Sequence, residues 1–576
     1  MTPRVSIVLA IVAIGAVAMS RLAGRSGGRV ESTGSRPQRP PAARSIHVRR
    51  SVGVAASVWR HPDSRHAARA PGNPGDARWA TSRDLRPLVV SGDPRGRLVV
   101  GEADGRHWRH HVLAAEPAQS VAVIGPTQSG KTTAVAIPAI LAWDGPVLAA
   151  SVKTDLVRDT LAWRRSCGTV WCFDPAGTTG LARASWSPVS GAGTWKLARQ
   201  VAADLTEVTR GEGTSADGEF WYATAAKLLA PLLFAAATGG RTIHDVMRWV
   251  DTQETEEVLD LLHVAGVPEA LQAARATWLR DERQRSGIYT TAETVLEPFA
   301  EPDAPQDVGV LGAASSWARL GDTPPYGTRA VGGWGEAKGE IDPGALLSGA
   351  NTIYVCAPAH DQRRLRAVFV ALVEQVLHAA FAHAARAGRP LDPPLLVVLD
   401  EAANIAPLKD LDGLAATCAG HGVQLVTVWQ DLAQVRARYG ERAATVVNNH
   451  RAKLFLPGIA DPGTLDFASH LAGEHEHPTP SVTFGARGER TVTRSSQVRP
   501  LLPPDTLRRL PRGSAVMLYG ALPPTGIRLR PWFCDRLLTE RGGATPSTGE
   551  DAPAEPRWCR WLARTRRRGR SYSRTS

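Results

Sequence analysis

Short, nearly unbroken apolar runs recur along the chain at 97–101, 120–125, 146–151, 169–174, 352–357, 395–401, 424–430, 452–456 and 515–520. Each has the length of a strand. A run that is apolar at successive positions suits a strand buried on both faces of a parallel sheet. Stretches with helical spacing separate many of them, the alternation expected of βαβ units. Between about 195 and 325 the helical pattern dominates. Residues 220–234 read as a largely apolar helix, 251–262 as a helix opened by the cap-like Asp251 and an acidic first turn, and 269–285 as one polar-faced helix. Residues 481–493 hold two alternating runs around a Gly-containing turn, a hairpin pattern. The pattern predicts an α/β core with a parallel-rich sheet, interrupted by an inserted all-α domain.

The ends of the chain differ from this core. Val5 to Ser20 is uncharged and apolar, preceded by Arg4 and followed by Arg21, Arg25 and Arg29. As a helix it spans about 24 Å, and snorkelling of Arg21 lets Leu22 and Ala23 extend it toward the ~30 Å hydrocarbon core. A cleaved signal peptide is the rival reading. Basic charge lies mainly after the stretch, which by the positive-inside rule keeps the C-terminal side in the cytoplasm. The expected order is a single transmembrane anchor at 1–23, a basic disordered linker at 24–76, a nucleotide-binding core at 77–194 and 326–540 around an all-α domain at 195–325, and a disordered basic tail at 541–576.

Charge follows the same division. The net charge is +13. Residues 21–70 hold 11 Arg against two acids, and residues 557–576 hold 8 Arg and no acid. Such tracts favour anionic partners, whether nucleic-acid phosphates or anionic lipid. Trp558, Trp561 and Tyr572 among the tail arginines add surfaces on which bases could stack. The six cysteines show no C-x-x-C pair or zinc spacing and read mostly as small buried hydrophobes. His475 and His477 have no partnering cluster and read as loop residues.

The chemistry concentrates in two segments. Gly125, Pro126, Thr127, Gln128, Ser129, Gly130, Lys131 and Thr132 match G-x-x-x-x-G-K-[ST], and Thr133 continues into a helical stretch. A strand-like run precedes them, giving the strand–loop–helix context that the phosphate-binding loop requires. The glycines let main-chain N–H groups close around a polyphosphate at the helix N-terminus. Lys131 is placed for the β- and γ-phosphates of ATP, and Thr132 for Mg²⁺. The run at 395–401 ends in Asp400 and Glu401. Asp400 then holds the Mg²⁺ shell and Glu401 polarises the attacking water. The run at 424–430 ends in Gln430, a candidate to sense the γ-phosphate or orient that water. Lys131 and Asp400 stand 269 residues apart, far more than a few βαβ units need, which again points to an insertion. Residues 347–351 superficially match an ABC-transporter signature but precede a strand and read as a turn.

Several segments in order resemble the TraG-type coupling proteins of type IV secretion and conjugation, over roughly residues 77–535. They are residues 77–81, the loop at 125–132, residues 152–156, Phe220 and Trp221, the Asp400–Glu401 pair, the strand ending at Gln430, Tyr439 with Gly440, and Asn448 with Asn449. The resemblance implies a membrane-anchored, homo-hexameric ATPase with a RecA-like motor and an all-α domain. It implies partners too: a relaxase with its DNA, handled as a single strand, or protein substrates, and the components of a secretion channel. The trans-acting arginine of the family has no assigned position here; Arg438 and Arg451 are candidates by location. Two features depart from the family pattern. One apolar N-terminal span is found where two are usual, and the basic tail is extra. Two other readings stay open at this stage: an FtsK-like DNA translocase, and a non-catalytic membrane receptor that binds ATP only for shape.

Overall fold

The computed structural model describes residues 77–543, except 93, 105–110, 211–215, 301–338, 357–360 and 485–489. The apolar stretch at 5–20, the basic linker and the tail from 544 onward lie outside the described residues, as do the expectations placed on them.

The strands are β1 (Val89–Val90), β2 (Val99–Ala103), β3 (Val112–Ala114), β4 (Val121–Ile124), β5 (Val147–Ser151), β6 (Val170–Phe173) and β7 (Thr352–Cys356). They continue with β8 (Leu395–Leu399), β9 (Val423–Trp429), β10 (Ala452–Phe455), β11 (Glu474–Phe484), β12 (Arg490–Pro500), β13 (Ser514–Tyr519) and β14 (Thr525–Arg528). The helices that matter below are α1 (Thr132–Ala142), α2 (Asp155–Cys167), α3 (Trp195–Arg210), α4 (Ala216–Thr238), α5 (Ile243–Thr252), α6 (Glu256–Ala265) and α7 (Pro268–Trp278). After them come α8 (Glu282–Leu296), α9 (Gln362–Ala387), α10 (Leu411–His421), α11 (Leu432–Tyr439), α12 (Ala443–Asn449) and α13 (Pro462–Ala472).

All strands but β11 and β12 form one mixed sheet of twelve strands, in the order β1-β3-β2-β14-β13-β10-β4-β9-β8-β5-β7-β6. From β10 to β6 every pairing is parallel. From β10 outward through β13, β14, β2, β3 and β1 every pairing is antiparallel. Each of the nine apolar runs is a strand of this sheet. The antiparallel wing is larger than the pattern indicated, because β1, β3 and β14 are only two to four residues long. Segments that short carry no period.

Alternate residues of a strand point to opposite faces, and the central strands are apolar at both parities because both faces are covered. Leu395, Val397 and Leu399 of β8 pack with Ala122 and Ile124 of β4 and with Leu425 and Trp429 of β9. Helices α9 and α10 and the helical insertion cover that face. Leu396, Val398, Val121, Val123, Val426 and Val428 turn the other way, under Val135, Ile137, Ile140 and Leu141 of α1 and Leu156 and Val157 of α2.

Helices α3 to α8 occupy the stretch between β6 and residue 300. The hub is α4, where Leu228, Leu229, Leu232 and Leu233 are buried in succession. A helix apolar all round belongs in a core, and α3, α6, α7 and α8 surround it. Residues 218–238 and 364–387 are long and apolar enough to cross a membrane by composition, yet 61% of each apolar window is buried inside the fold. Two expected helices are each broken in two. Asp251 lies in the last turn of α5, not at a start; Gln253 ends that helix with φ +52° and α6 begins at Glu256. The single helix expected over 269–285 is α7 followed by α8. Asp281 caps α8, its side chain accepting from the Gln284 N–H at 3.1 Å.

The hairpin is longer than its central runs, pairing Glu474 with Pro500 through Phe484 with Arg490. His475 and His477 are therefore strand residues, opposite Arg499 and Gln497, and not loop residues. Prolines at 478 and 480 hid the strand; a two-stranded ribbon tolerates them because it has free edges. Residues 347–350 form the expected turn before β7. Of the described cysteines, Cys172, Cys356 and Cys418 are buried, while Cys167 and Cys534 are half-buried.

Two buried polar groups hold the parallel block together. Arg164 of α2 is wholly buried. Its guanidinium donates to the carbonyls of Trp143, Gly145 and Ala350 at 2.8–2.9 Å and to the Thr352 hydroxyl at 2.8 Å. It thus ties α2 to the segments entering β5 and β7. His450, between α12 and β10, is also wholly buried. Its Nδ1 donates to the Val446 carbonyl at 2.7 Å and its Nε2 accepts from the Thr427 hydroxyl at 2.9 Å, which itself accepts from the Trp429 indole at 2.9 Å. Desolvation pulls the His450 pKa down to about 4. The unfolded chain takes up a proton there below about pH 6.5 and the folded chain only below about 4. Stability therefore falls as pH drops through that window, by roughly 3 kcal/mol in all. Urea melts at pH 7 and pH 5 are expected to show about 2 kcal/mol of this loss, and a His450→Gln variant a shallower pH slope; equal slopes would refute the burial of a neutral imidazole.

Candidate nucleotide-binding site

The parallel register decides which side chains meet. β9 lies between β4 and β8, with Ile124 opposite Trp429 and Leu399 opposite Thr427. β5 flanks β8 on its other side, with Ala150 opposite Leu399. The chain therefore leaves β4 at Gly125, β9 at Gln430, β8 at Asp400 and β5 after Ser151 along one carboxyl edge of the sheet. That edge is where open α/β sheets bind ligands.

The loop after β4 folds back on itself. The Gly125 N–H donates to the Trp429 carbonyl at 3.1 Å and the Ser129 N–H to the Pro126 carbonyl at 3.2 Å. A Cβ on Gly125 would lie 2.8 Å from both Leu456 Cβ and Ser129 Oγ, so only glycine fits. Gln128 and Gly130 have φ of +63° and +98°. The left-handed value at Gln128 costs roughly 1 kcal/mol for a non-glycine residue and belongs with the strain that binding loops store. Pro126, Thr127 and Gln128 are half-buried to exposed, whereas Lys131 is buried. The Lys131 ammonium donates to the carbonyls of Gly125 and Pro126 at 2.5 and 2.8 Å. Burial pushes its pKa down, with Asp400 and Glu401 acting in the opposite sense. The Ser129 hydroxyl is buried and, among the described residues, has no hydrogen-bond partner. Thr133 Oγ1 lies 3.5 Å from the Gly130 carbonyl.

The first turn of α1 is a wide π turn, Thr132–Ala136, closed by Ile137 N–H to the Thr132 carbonyl. The sequence pattern indicated an ordinary helix. Pro138 removes one amide donor at this point, which accounts for the loosening; such turns concentrate at functional sites.

Across the edge, Thr132 Oγ1 donates to Asp400 Oδ2 at 3.1 Å and Ser151 Oγ donates to the same oxygen at 3.3 Å. Asp400 is buried, and desolvation raises its pKa while the Thr132 hydrogen bond opposes that rise. Glu401 adopts φ +65° and ψ +55° and precedes a short helix. Asn404 Nδ2 donates to Glu401 Oε2 at 3.3 Å. The Gln430 N–H is held by Gln434 Oε1 at 3.0 Å, and Gln430 itself is half-buried.

Mg²⁺ suits this donor set. It takes hard oxygens at 2.0–2.1 Å in an octahedron, whose adjacent corners are about 2.9 Å apart. The Thr132 hydroxyl and the Asp400 carboxylate, 3.1 Å apart, match that spacing. No cluster of three or more His, Cys, Asp or Glu side chains suited to a metal occurs among the described residues. Ser151, Asn404 and Gln434 were not singled out in the sequence. Each is a small polar residue near a strand end, and only the register shows which acid or amide it serves. Arg438 of α11 reaches the Pro407 carbonyl at 3.5 Å. Arg451 pairs with Glu116 at 3.7 Å and lies over the Tyr519 ring, at the amino end of β10 and so at the opposite end of the strands from the cradle.

Comparison with known proteins identifies the family. Residues 78–308 match the family model for type IV secretory system conjugative DNA transfer, and residues 394–512 match that for the TraM recognition site of TraD and TraG. Together they span well over half of the chain, in the same order as the motifs. The chain belongs to the TraG-type coupling proteins. A conjugal transfer protein TraG of Escherichia coli is 24% identical over 484 residues, 76% of this chain and 71% of its own length. VirD4 of Rhizobium rhizogenes is 23% identical over 482 residues, covering 81% of this chain and 66% of its own. The coupling protein fold is shared with TrwB. Its complex with an ADPNP analogue of ATP superposes with a TM-score of 0.56 at 16% identity, over 81% of this chain and 96% of TrwB. TrwB with ADP and Mg²⁺ gives a TM-score of 0.51. The coupling-protein core here is thus a RecA-like α/β fold with a large mixed sheet and many helices.

Proposed function

We propose that this coupling protein is an ATPase that uses hydrolysis to recruit DNA, or a relaxase–DNA substrate, and pass it to a type IV secretion channel. The observation that carries the reading is the convergence of the loop at 125–132, Asp400, Glu401 and Gln430 on one sheet edge. In this mechanism the amides of the loop and of the first turn of α1 take the phosphate oxygens of ATP. Lys131 exchanges its carbonyl partners for the β- and γ-phosphates. Thr132 and Asp400 would hold Mg²⁺, which when bound would supply positive charge to the phosphates. Glu401 accepts the proton of the water that attacks the γ-phosphorus, and Gln430 orients that water. ADP and phosphate are the products.

The stretch at 5–20 serves as a single-pass anchor that leaves residues 77–540 in the cytoplasm, and six copies form the working ring. The charge of the basic tracts at 21–70 and 557–576 favours phosphates or anionic lipid as partners. The family match favours this reading over an FtsK-like translocase, and the paired acids favour it over a receptor that never hydrolyses. A DNA-stimulated ATPase assay on the full chain in detergent tests it. Turnover is expected to rise with added single-stranded DNA and to vanish in Lys131→Ala. Turnover that ignores DNA and persists in the mutant rejects the motor.

A further inference from the structure

We propose that Lys153 is a further phosphate-contacting residue of this site, one that grips the terminal phosphate of a bound nucleoside triphosphate and not the diphosphate product. The proposal rests on the ATP reading above and adds a residue outside the loop and the acid pair.

The turn that carries Lys153 is built onto the cation-binding acid. Ser151 ends β5 level with Asp400. Its hydroxyl donates to Asp400 Oδ2 at 3.3 Å and accepts the Lys153 N–H at 3.1 Å. The turn from 151 to 154 is thereby folded against the Asp400 carboxylate before α2 starts at Asp155. The side chain of Lys153 is exposed. Among the described residues its ammonium has no hydrogen-bond or ion-pair partner. Its field reaches both the Asp400 carboxylate and the Lys131 ammonium. Most exposed lysines point into solvent away from other charge. This one acts electrostatically on the buried Lys131 as well as on the buried Asp400, and an anion between the two ammonium groups relieves their like-charge repulsion.

The strand order selects which part of the anion. Along the edge the sequence is β4 with the loop and Lys131, β9 with Gln430, β8 with Asp400 and Glu401, and β5 with Lys153. Strands are spaced about 4.8 Å apart. Phosphates wrapped by the loop at β4 extend toward β8, so the last of them lies nearest β5. Lys131 approaches the chain of phosphates from one side and Lys153 meets its far end. ADP ends short of that position.

Binding of ADP and of the non-hydrolysable analogue ADPNP, each with Mg²⁺, to the full chain in detergent tests the assignment. Lys153→Gln is expected to weaken ADPNP by about 10- to 100-fold, the scale of one lost charge-assisted hydrogen bond, and to leave ADP within twofold. Lys153→Arg, which keeps the charge, retains most of the ADPNP affinity. Because the side chain is exposed and unpartnered, the variant is expected to fold as the wild type does, and unchanged ADP binding reports that directly. Equal losses for both nucleotides, or no loss for either, overturn the role of Lys153 and leave the ATP reading intact. A wild-type chain that binds neither nucleotide overturns both.

Discussion

Glu401→Gln is expected to keep ATP affinity within a few-fold of wild type and to lower turnover by about 10²–10⁴-fold, the range that a positioned general base supplies. The split follows from geometry. Among the described residues the Glu401 carboxylate makes no hydrogen bond to the loop at 125–132 and is braced by Asn404 alone, at 3.3 Å. Its left-handed backbone, φ +65°, sets the carboxylate off from Asp400, which takes the hydroxyls of Thr132 and Ser151. In the proposed mechanism the two adjacent acids have separate tasks: one holds the cation and the other faces the water. The amide of glutamine preserves size and can accept from Asn404, so the cradle should persist while proton acceptance is lost. Equilibrium binding and steady-state turnover on the same preparation check this. Equal turnover in variant and wild type would remove Glu401 from the chemistry, and a parallel loss of binding would recast it as a structural brace.

Arg164→Met is expected to destabilise the chain by at least ~4 kcal/mol, the largest stability effect foreseen for a single side chain here. Among the described residues Arg164 has no carboxylate partner; its charge is satisfied by main-chain carbonyls and the Thr352 hydroxyl. Burial nonetheless lowers its pKa. Methionine fills much of the volume but leaves the carbonyls of Trp143, Gly145 and Ala350 inside the fold without donors, at roughly 1–3 kcal/mol each and less than additively. Lysine restores only part, since one ammonium cannot span acceptors set for a planar fork. The urea midpoint of the purified chain reads the effect, and a shift below 1 kcal/mol would show that water replaces the guanidinium. The consequence extends to function, because the carbonyls it holds set the starts of β5 and β7 and hence where Ser151 meets Asp400.

Much of this was legible in the sequence for a physical reason. A strand buried on both faces writes itself as a nearly unbroken apolar run, so the runs at 395–401 and 424–430 could be read without a partner. A phosphate loop needs its glycines at fixed spacing, so Gly125 and Gly130 announced it. What the sequence hid was whatever depends on register. Ser151 and Lys153 gain meaning only once β5 is known to lie beside β8 and not beside β6. The break between α7 and α8 was masked because Asp281, a cap, is also an ordinary polar residue on a helix face. The hairpin was shortened by Pro478 and Pro480, which argue against a central strand but not against a ribbon with open edges. The π turn at Thr132 arises from Pro138, one turn downstream of the motif that drew attention.

The central claim is that a nucleoside triphosphate is cleaved between the main-chain cradle at 125–132 and the two acids that end β8. The most direct measurement is a cryo-electron-microscopy map of the full chain carrying Glu401→Gln, trapped with ATP and Mg²⁺. The account predicts uncleaved triphosphate wrapped by the loop, with Mg²⁺ between Thr132 and Asp400 and the substituted residue 401 facing the γ-phosphate. Nucleotide bound away from this edge, or Asp400 turned from the cation, would contradict it.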